Sequence, residues 1–290
     1  MRVGVVIVWY NPTEEQIKNV YNLSNIEFLR VCVADNSKEK AAEEAKELAK
    51  HSIDYVHNGN HGGIAGAFNR GIECLTHDDR IDIFFTMDQD SDIQPEYYKK
   101  MYEFMTTTGS EIACPDFFDR NAQTHGTFVD LTPYSYKVVK EGSTVFCISS
   151  GMGITKKAWT KIGNFDERLI IDHVDTDFCL KAYAENIKIH VNYEQCLNHA
   201  IGEREKNYLF GVCLKPNHHS YVRKYYIVRN GTYLAIKNFQ HAKGYFTLNI
   251  LRVVHEVACV VLYEKHKLKK LKYMALGLIH GIRGKLGALK

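Results

Sequence analysis

Two aspartates one residue apart, Asp88 and Asp90, are the first side chains whose type and spacing could do chemistry. They follow a buried apolar run, residues 81–86, which is typical of a strand. Residues i and i+2 of an extended segment point the same way, so both carboxylates are expected to face one pocket. Such oxygen ligands suit Mg²⁺ or Mn²⁺, and an ion held there would neutralise a diphosphate and make it a better leaving group. The alternative is an ordinary acidic turn that caps the next helix.

Polar residues also follow two earlier apolar runs. Tyr10 and Asn11 come directly after residues 3–8, and Asp35 follows residues 29–34. A carboxylate at position 35 can accept the ring N–H of a uracil or thymine base. The alternative is an Asx turn, because Asp-Asn-Ser is strong turn chemistry. The residues alone leave both interpretations open.

A glycine-rich segment, residues 58–71, opens a helix and contains Asn60, Gly63 and Asn69. It has neither the G-x-G-x-x-G spacing of a dinucleotide site nor the lysine of a P-loop. Small residues let the backbone approach a nucleotide closely, and a helix N-terminus favours anions. Tight packing of a helix on a sheet explains the same composition, and this segment alone does not separate the two.

Three aspartates, Asp172, Asp175 and Asp177, stand around the start of another helical stretch. A general base must lie within hydrogen-bond reach of the hydroxyl that it deprotonates, and neighbouring like charges raise one pKa toward a useful value. Helix capping explains one of these carboxylates but less easily all three. His199 stands alone and, by itself, is interpreted as a structural histidine.

A regular alternation of strands and helices in residues 1–115 positions these side chains. The alternation predicts βαβ units, an α/β fold and a mostly parallel sheet, in which ligands bind beyond the carboxyl ends of the strands. From about residue 115 the strands become shorter, and helices are predicted at 221–237, 247–263 and 265–289. We therefore expect an α/β domain over residues 1–215 and a helical region over residues 216–290.

Composition and cysteine usage bound the class of protein. The chain has 290 residues, of which 45% are hydrophobic and 24% charged, as is usual for a globular protein. Its eight cysteines include no C-x-x-C pair, its start has no secretory signal, and no uninterrupted apolar run is long enough to predict a membrane span. These features predict reduced thiols and a cytoplasmic protein.

The net charge of +3 is unevenly distributed. Residues 241–290 hold ten Lys and Arg against two Glu, which gives +8 there and −5 in residues 1–240. One helical stripe of this region is apolar and consists of Leu248, Leu251, Val254, Val257, Ala258, Val261 and Leu262. A basic amphipathic element can lie in the plane of an anionic membrane; the alternative is a helix packed against the rest of the chain. No nucleic acid is expected as a partner, because no DNA- or RNA-binding pattern is visible.

Taken together, these motifs resemble family 2 glycosyltransferases with the GT-A fold, a Rossmann-like mixed sheet flanked by helices. The order matches over roughly residues 1–235: V-V-I-V-x-Y-N-P, an aspartate after the second strand, N-x-x-G-x-A-G-x-x-N-x-G, D-x-D, then F-D-E and D-x-D-x-C-L-K. Within the family, residues 87–91 and 171–177 are most similar to bacterial rhamnosyltransferases. Those enzymes use dTDP-L-rhamnose to build O-antigen or capsular polysaccharide.

The resemblance implies a role for each candidate residue. The residues implied to bind the donor nucleotide are Tyr10, Asn11, Asp35, Asn60, Gly63, Asn69 and Asp88. The residues implied to hold Mg²⁺ or Mn²⁺ are Asp88, Asp90 and His199.

The resemblance also implies that Asp175 is the catalytic base. Val174 stands where the family has the acidic residue before its base, a departure that leaves both Asp175 and Asp177 as candidates. Asp177 is assigned to the support of the helix start, and Asp172 and Gly151 to the acceptor side or to support.

The implied reaction is a single inverting displacement, in which Asp175 takes the proton of the acceptor hydroxyl. The implied partners are a dTDP- or UDP-linked sugar, a polyprenyl-diphosphate-linked glycan and the inner face of the cell membrane; a homo-oligomer is left open. A UDP-hexose transferase of the same family and a non-catalytic nucleotide-sugar-binding scaffold remain as alternatives. A sugar-nucleotide pyrophosphorylase is discounted, because Trp9-Tyr10-Asn11-Pro12 stands where that class needs a basic glycine-rich loop.

Overall fold

The computed structural model describes residues 2–91, 94–119, 123–199, 207–209 and 212–289. The first part alternates strands with helices, as the sequence predicts. These elements are β1 (Val3–Trp9), α1 (Glu14–Tyr21), β2 (Leu29–Asp35), α2 (Ala42–Lys50), β3 (Asp54–His57), α3 (Gly63–Leu75), β4 (Ile83–Asp88) and α4 (Pro95–Thr108). Both faces of β1 are buried, as its continuous run of branched apolar residues predicts.

Shorter strands dominate the next part of the chain. These elements are β5 (Ile112–Asp119), β6 (Thr124–His125), β7 (Phe128–Leu131), β8 (Tyr136–Val139), β9 (Ser143–Thr144), β10 (Met152–Thr155), α5 (Lys156–Ile162), a 3₁₀ turn (Glu167–Leu169), α6 (Val174–Ala184), β11 (Ile189–His199), β12 (Asn207–Leu209) and β13 (Val212–Leu214). Three helices follow: α7 (Tyr221–Lys237), α8 (Lys243–Tyr263) and α9 (Lys267–Ile282).

Local sequence signals explain where several helices begin and end. The Thr13 hydroxyl accepts from the backbone N–H of Gln16, and the Gln16 side chain accepts from the N–H of Thr13, so a capping box opens α1. Pro95 stands in the first turn of α4, and Gly109 ends that helix in the left-handed conformation.

The central sheet is mixed, with the strand order β3-β2-β1-β4-β10-β5-β11-β9 among the described residues. Strands β1 to β4 are parallel, but β10 runs antiparallel to both β4 and β5. The expectation of a mostly parallel sheet therefore holds for its first half only. Parallel pairing needs a crossover connection, and the regular strand–helix alternation that supplies crossovers ends after α4. The α/β class and the C-terminal helices are confirmed.

The chain divides into two compact units that are discontinuous in sequence. Unit 1 consists of Met1–Asp116, Glu141–Ile170 and Val174–Leu197, and unit 2 consists of Phe117–Lys140, Ile171–His173 and Asn198–Lys290. Unit 1 contains the parallel strands, and unit 2 contains the three C-terminal helices. The predicted domain boundary after residue 215 stays a prediction.

A buried charge network ties the helices of unit 2 together. The Lys224 ammonium of α7, which is fully buried, donates to Glu256 at 2.6 Å, to Glu264 at 2.8 Å and to Asn217 at 2.8 Å. Lys270 of α9 donates to the other oxygen of Glu264 at 2.6 Å. The two carboxylates and two ammonium groups balance in charge, which is the condition under which buried charges are tolerated.

The eight cysteines, all in described positions, are free thiols, as predicted. The absence of an uninterrupted apolar run does not exclude a helix of membrane length. Within the described residues, α8 is long and apolar enough to cross a membrane by length and composition, although a core helix of a globular protein passes the same test. Polar residues interrupt the apolar run of α8, and the sequence criterion of an unbroken run therefore missed it.

Candidate active site

The strand register brings three predicted site segments to one edge of the sheet. Asp35 of β2 pairs with Trp9 of β1 and with His57 of β3, and Asp88 of β4 pairs with Val8. Asp35 and Asp88 are thus separated by β1 alone, or about 10 Å at the usual strand spacing. The carboxyl ends of β1, β2 and β4 therefore lie at one edge of the sheet in unit 1, as predicted.

Asp35 is fully buried and forms an Asx turn. One carboxylate oxygen accepts from the N–H of Ser37 at 2.8 Å, and the other accepts from the hydroxyl of Tyr55 at 2.6 Å. Burial and the hydrogen bond to Asp35 raise the pKa of Tyr55, so its hydroxyl stays a donor at neutral pH. The turn chemistry recognised in the sequence is therefore real, and Tyr55 is a partner that the sequence did not indicate.

Tyr10 and Asn11 connect the end of β1 to the loop after β4 and to the loop after β2. The Tyr10 N–H donates to the Gln89 side-chain oxygen at 2.7 Å, and the Gln89 amide returns a bond to the Tyr10 carbonyl at 3.3 Å. The Asn11 N–H donates to the Ser37 hydroxyl at 2.8 Å. The Tyr10 side chain itself remains 56% exposed. Gln89, the middle residue of the D-x-D motif, thus connects the loop after β1 to the loop after β4.

The glycine-rich segment is held at the same edge by asparagines. The Asn36 amide donates to the Gly63 carbonyl at 3.0 Å, and the Asn58 amide donates to the Asn36 oxygen at 2.6 Å. Asn60 is exposed in the turn before α3, with a φ of 59°. Gly63 has a φ of +62°, and a Cβ there would lie 1.9 Å from the carbonyl oxygen of Ile170. Close packing on residue 170 is therefore what requires glycine at position 63.

We expect Gly63→Ala to destabilise unit 1 by about 3 kcal/mol, because the added methyl meets backbone that cannot rotate away and the φ is strained as well. Gly109→Ala is the matched control, since Gly109 has a φ of +67° but open space around it. This control should lose only about 1 kcal/mol. Urea unfolding of the two variants measures the difference, and equal losses would contradict the packing explanation.

The side chain of Asn69 forms its hydrogen bonds with other residues of unit 1. Its amide donates to the Phe165 carbonyl at 3.0 Å and to the Glu167 carboxylate at 2.9 Å, while its oxygen accepts from the Phe165 N–H at 2.9 Å. Asn69 is buried, so these bonds occupy an amide that was predicted to contact a nucleotide. Its observed contacts hold the F-D-E turn to α3.

The D-x-D segment is a turn and not an extension of β4. The strand ends at Asp88, and the Ser91 N–H donates to the Asp88 carbonyl at 3.2 Å. The sequence predicts that Asp88 and Asp90 share a face as residues i and i+2 of a strand. Because the strand ends at Asp88, that reason is wrong. Asp88 is half-buried and Asp90 is exposed.

Residues before β10 support this turn from the other side. The Ser150 hydroxyl lies 2.7 Å from the Ser91 hydroxyl and accepts from the Asp88 N–H at 3.4 Å. Gly151 donates its N–H to the Thr86 carbonyl at 2.8 Å and accepts from the Tyr97 hydroxyl at 2.6 Å. A Cβ on Gly151 would meet that hydroxyl at 2.7 Å, so the predicted residue Gly151 is fixed against β4 and α4.

The two aspartates of α6 have different surroundings. Asp177 is fully buried and pairs with Lys181 at 2.8 Å, whereas Asp175 is half-exposed and accepts from the Thr176 N–H at 2.7 Å. A hydrogen bond with Cys114, burial and then the charge of Asp175 raise the pKa of the Cys147 thiol well above its usual range. The charge of Asp175 thus acts on Cys147, which stands three residues before the serine that supports Asp88.

Asp172 belongs to unit 2, where α7 holds it. Arg223 donates to its carboxylate at 3.2 Å, and the Asn230 amide donates to the carbonyls of Ile171 and Asp172 at 2.9 Å each. Asp172 and His173 have φ values of 59° and 60°, in the left-handed region that few non-glycine residues adopt. Burial lowers the pKa of His173 to about 3.

The side chain of His199, the last residue of β11, lies outside the described part of the structure.

Comparison with solved structures identifies the fold. A structure of Staphylococcus aureus TarS, residues 1–349, has a TM-score of 0.62 at 14% identity and covers 97% of this chain and 81% of its own. A structure of GalNAc-T7 with UDP, GalNAc and Mn²⁺ has a TM-score of 0.59 at 12% identity and covers 98% of this chain and 56% of its own. The architecture is the GT-A fold.

Sequence comparisons give the family. The dTDP-rhamnosyl transferase RfbF of Shigella flexneri is 31% identical over 98% of this chain and 97% of its own length. The low-salt glycan biosynthesis hexosyltransferase Agl10 of Haloferax volcanii is 25% identical over 98% and 92%. The sequence model of glycosyl transferase family 2 matches residues 5–163. The chain therefore belongs to glycosyl transferase family 2 and is a glycosyltransferase.

Proposed function

We propose that this enzyme transfers L-rhamnose from dTDP-L-rhamnose, with inversion, to a hydroxyl of a polyprenyl-diphosphate-linked glycan. The observation that carries the choice of sugar is the 31% identity with a dTDP-rhamnosyl transferase over nearly the whole of both chains. The product would be a repeat-unit intermediate of a bacterial surface polysaccharide, an O-antigen or a capsule. The reaction would take place at the inner face of the cell membrane.

The donor base is assigned to the edge formed by Tyr10, Asn11 and Asp35. The exposed ring of Tyr10 offers an apolar surface on which a base can stack. Asp35 shapes this edge by holding the Ser37 N–H and the Tyr55 hydroxyl. Asn60 is assigned to the nucleotide on its exposure in the adjacent turn.

The residues of the D-x-D turn fit a divalent cation. Asp88 and Asp90 provide two carboxylates at the carboxyl edge of the sheet, and carboxylate oxygens are the ligands that Mg²⁺ and Mn²⁺ prefer. An ion bound there would offset the negative charge of the donor diphosphate. His199 is proposed as a third ligand on the family resemblance alone.

Asp175 is proposed as the general base, because it is half-exposed while Asp177 is buried against Lys181. The acceptor oxygen would form the new bond to the anomeric carbon as the bond from that carbon to the diphosphate breaks. The proton of the acceptor hydroxyl would pass to the carboxylate of Asp175. Positioning and electrostatic stabilisation at the edge of the sheet supply the remaining catalytic effect.

A donor panel tests the proposed sugar nucleotide. The full chain is mixed with dTDP-L-rhamnose, UDP-glucose, UDP-galactose or UDP-GlcNAc and either Mg²⁺ or Mn²⁺, and its melting temperature and the release of nucleoside diphosphate are measured. We expect dTDP-L-rhamnose to give the largest stabilisation and turnover. A larger effect of a UDP-hexose would replace the proposal with the hexosyltransferase alternative, which the similarity to Agl10 favours.

We expect Asp90→Ala to abolish the dependence of donor binding on divalent ions, because it removes one of the two proposed carboxylate ligands. Asp79→Ala is the control, since the Asp79 side chain is fully exposed and paired only with Lys156 in the described contacts. Titration calorimetry of donor binding with and without Mn²⁺ compares the two. A wild-type enzyme that is fully active in a chelator would count against the metal assignment.

A further inference from the structure

One face of α8 exposes a continuous set of large apolar side chains. This outer face consists of Ile250, Leu251, Val254, Val257, Val261 and Leu262, each between 36% and 60% exposed. Their three- and four-residue spacing places them on one side of the helix. Globular proteins rarely leave such a contiguous apolar patch in water unless another surface covers it.

The opposite face of α8 is held by its own unit. Leu248, Cys259 and Val260 are buried, and Val260 packs with Val228 of α7 and Met274 of α9. Only 28% of the most apolar part of α8 is buried, so α8 is not a core helix. Since one side is already packed along its length, the helix can meet lipid only by lying in the plane of the interface.

The exposed charge that follows the outer face along the chain is positive. Lys265 follows α8, and Lys267 and Lys272 lie in the first half of α9; all three are exposed, and Leu268 between them is 85% exposed. Glu256 and Glu264 are the only acidic residues of residues 241–290, and both bind Lys224 in the buried network. The described side chains of this region, residues 241–289, therefore offer solvent no unpaired negative charge to balance the lysines.

We propose that the outer face of α8, together with Leu268 and its flanking lysines, docks in the plane of an anionic lipid bilayer. Charge complementarity selects this occupant: anionic headgroups attract the lysines, whereas the same face of a second copy would bring lysines near lysines. The docking deepens the proposed function, because an acceptor linked to a polyprenyl diphosphate is held in a membrane.

Vesicle flotation of the full chain, without donor or acceptor, tests the docking. Wild type should float with phosphatidylcholine–phosphatidylglycerol vesicles, and its binding should fall at least about tenfold with pure phosphatidylcholine and at high salt. The double variant Val254→Glu, Val261→Glu should lose at least about tenfold in binding. Val138→Glu is the matched control, since Val138 of β8 is 56% exposed, close to the 60% of Val254.

A second pair of variants tests the charges. Lys265→Glu, Lys267→Glu and Lys272→Glu together should weaken binding at least about tenfold, while Lys38→Glu, Lys40→Glu and Lys46→Glu, which reverse three exposed lysines elsewhere, should not. The melting temperature of every variant checks its fold.

Three results would overturn the docking proposal. They are equal binding to neutral vesicles, retention of wild type in vesicles after an alkaline carbonate wash, and a lipid-free dimer that Val254→Glu dissociates. The second would indicate a spanning helix, and the third a protein interface. Because no sugar transfer is measured, none of them bears on the proposed reaction.

Discussion

Asp175→Asn is expected to lower the turnover number for sugar transfer about a thousandfold, which is the usual contribution of a general base. Asparagine has the same shape and its oxygen can still accept from the Thr176 N–H, so α6 should begin unchanged. The amide cannot accept the proton of the acceptor hydroxyl at neutral pH. Donor affinity should therefore stay within about twofold of wild type, since the base acts on the acceptor. Single-turnover transfer and donor titration measure the two quantities separately.

Asp177→Asn is the matched control, because it makes the same chemical change two residues away on the same helix. The control should keep most of the transfer rate but lose about 1–3 kcal/mol of stability, since the buried Asp177 carboxylate pairs with Lys181. Loss of transfer in the Asp177 variant with a fully active Asp175 variant would assign the base to Asp177. Undiminished transfer in both variants would place the base at another residue, whereas a wild type that binds donor but transfers no sugar would favour the non-catalytic scaffold.

The half-exposed and the buried aspartate of α6 illustrate what the sequence could not decide. Both fall in the first turn of a helix, where the helix dipole accepts either of them. The difference arises from Lys181, one turn later on the same helix, and from the packing around Phe178. Burial of a carboxylate depends on tertiary neighbours, and periodicity does not reveal these.

Strand ends were predictable, and the contacts between loops were not. The apolar runs of β1, β2 and β4 placed Asp35 and Asp88 at one edge, because parallel strands joined by helices align their carboxyl ends. Gln89 bonds to Tyr10 across that edge although the two are far apart in sequence. Such a pairing depends on loop geometry that no local propensity encodes. For the same reason the sequence indicated the turn at Asp88 only as an alternative to an extended segment.

Asn69 and Gly63 also show what the sequence could predict and what it left open. The glycine-rich segment correctly predicted a loop that opens a helix, but two explanations for its composition remained. The short distance from Gly63 to the Ile170 carbonyl and the three bonds of Asn69 to residues 165–167 favour packing for these two positions. Packing against residues 165–170, which lead to α6, therefore explains part of the glycine and asparagine pattern of this segment.

Lys224→Met is expected to lower the free energy of unfolding by about 3–5 kcal/mol at neutral pH, because it leaves buried carboxylates without their shared cation. Burial alone would raise the pKa of Glu264, but the hydrogen bonds and charges of Lys224 and Lys270 outweigh it and lower that pKa. A carboxylate with a lowered pKa stabilises the folded state above its ordinary pKa of 4.5 and loses this contribution as the pH falls. The difference between wild type and variant should therefore shrink in acid.

Lys50→Met provides the matched control for this prediction. Lys50 lies 2.6 Å from Glu47, the same separation as between Lys224 and Glu256, but its side chain is 70% exposed. An exposed ion pair of this kind contributes little, so the urea midpoint of this variant should match that of wild type. Urea unfolding followed by circular dichroism at neutral and acid pH compares all three proteins. If the Lys224 variant unfolds at the wild-type midpoint, the network does not hold α7, α8 and α9 together, and their packing rests on apolar contacts such as Val228 with Val260 and Met274.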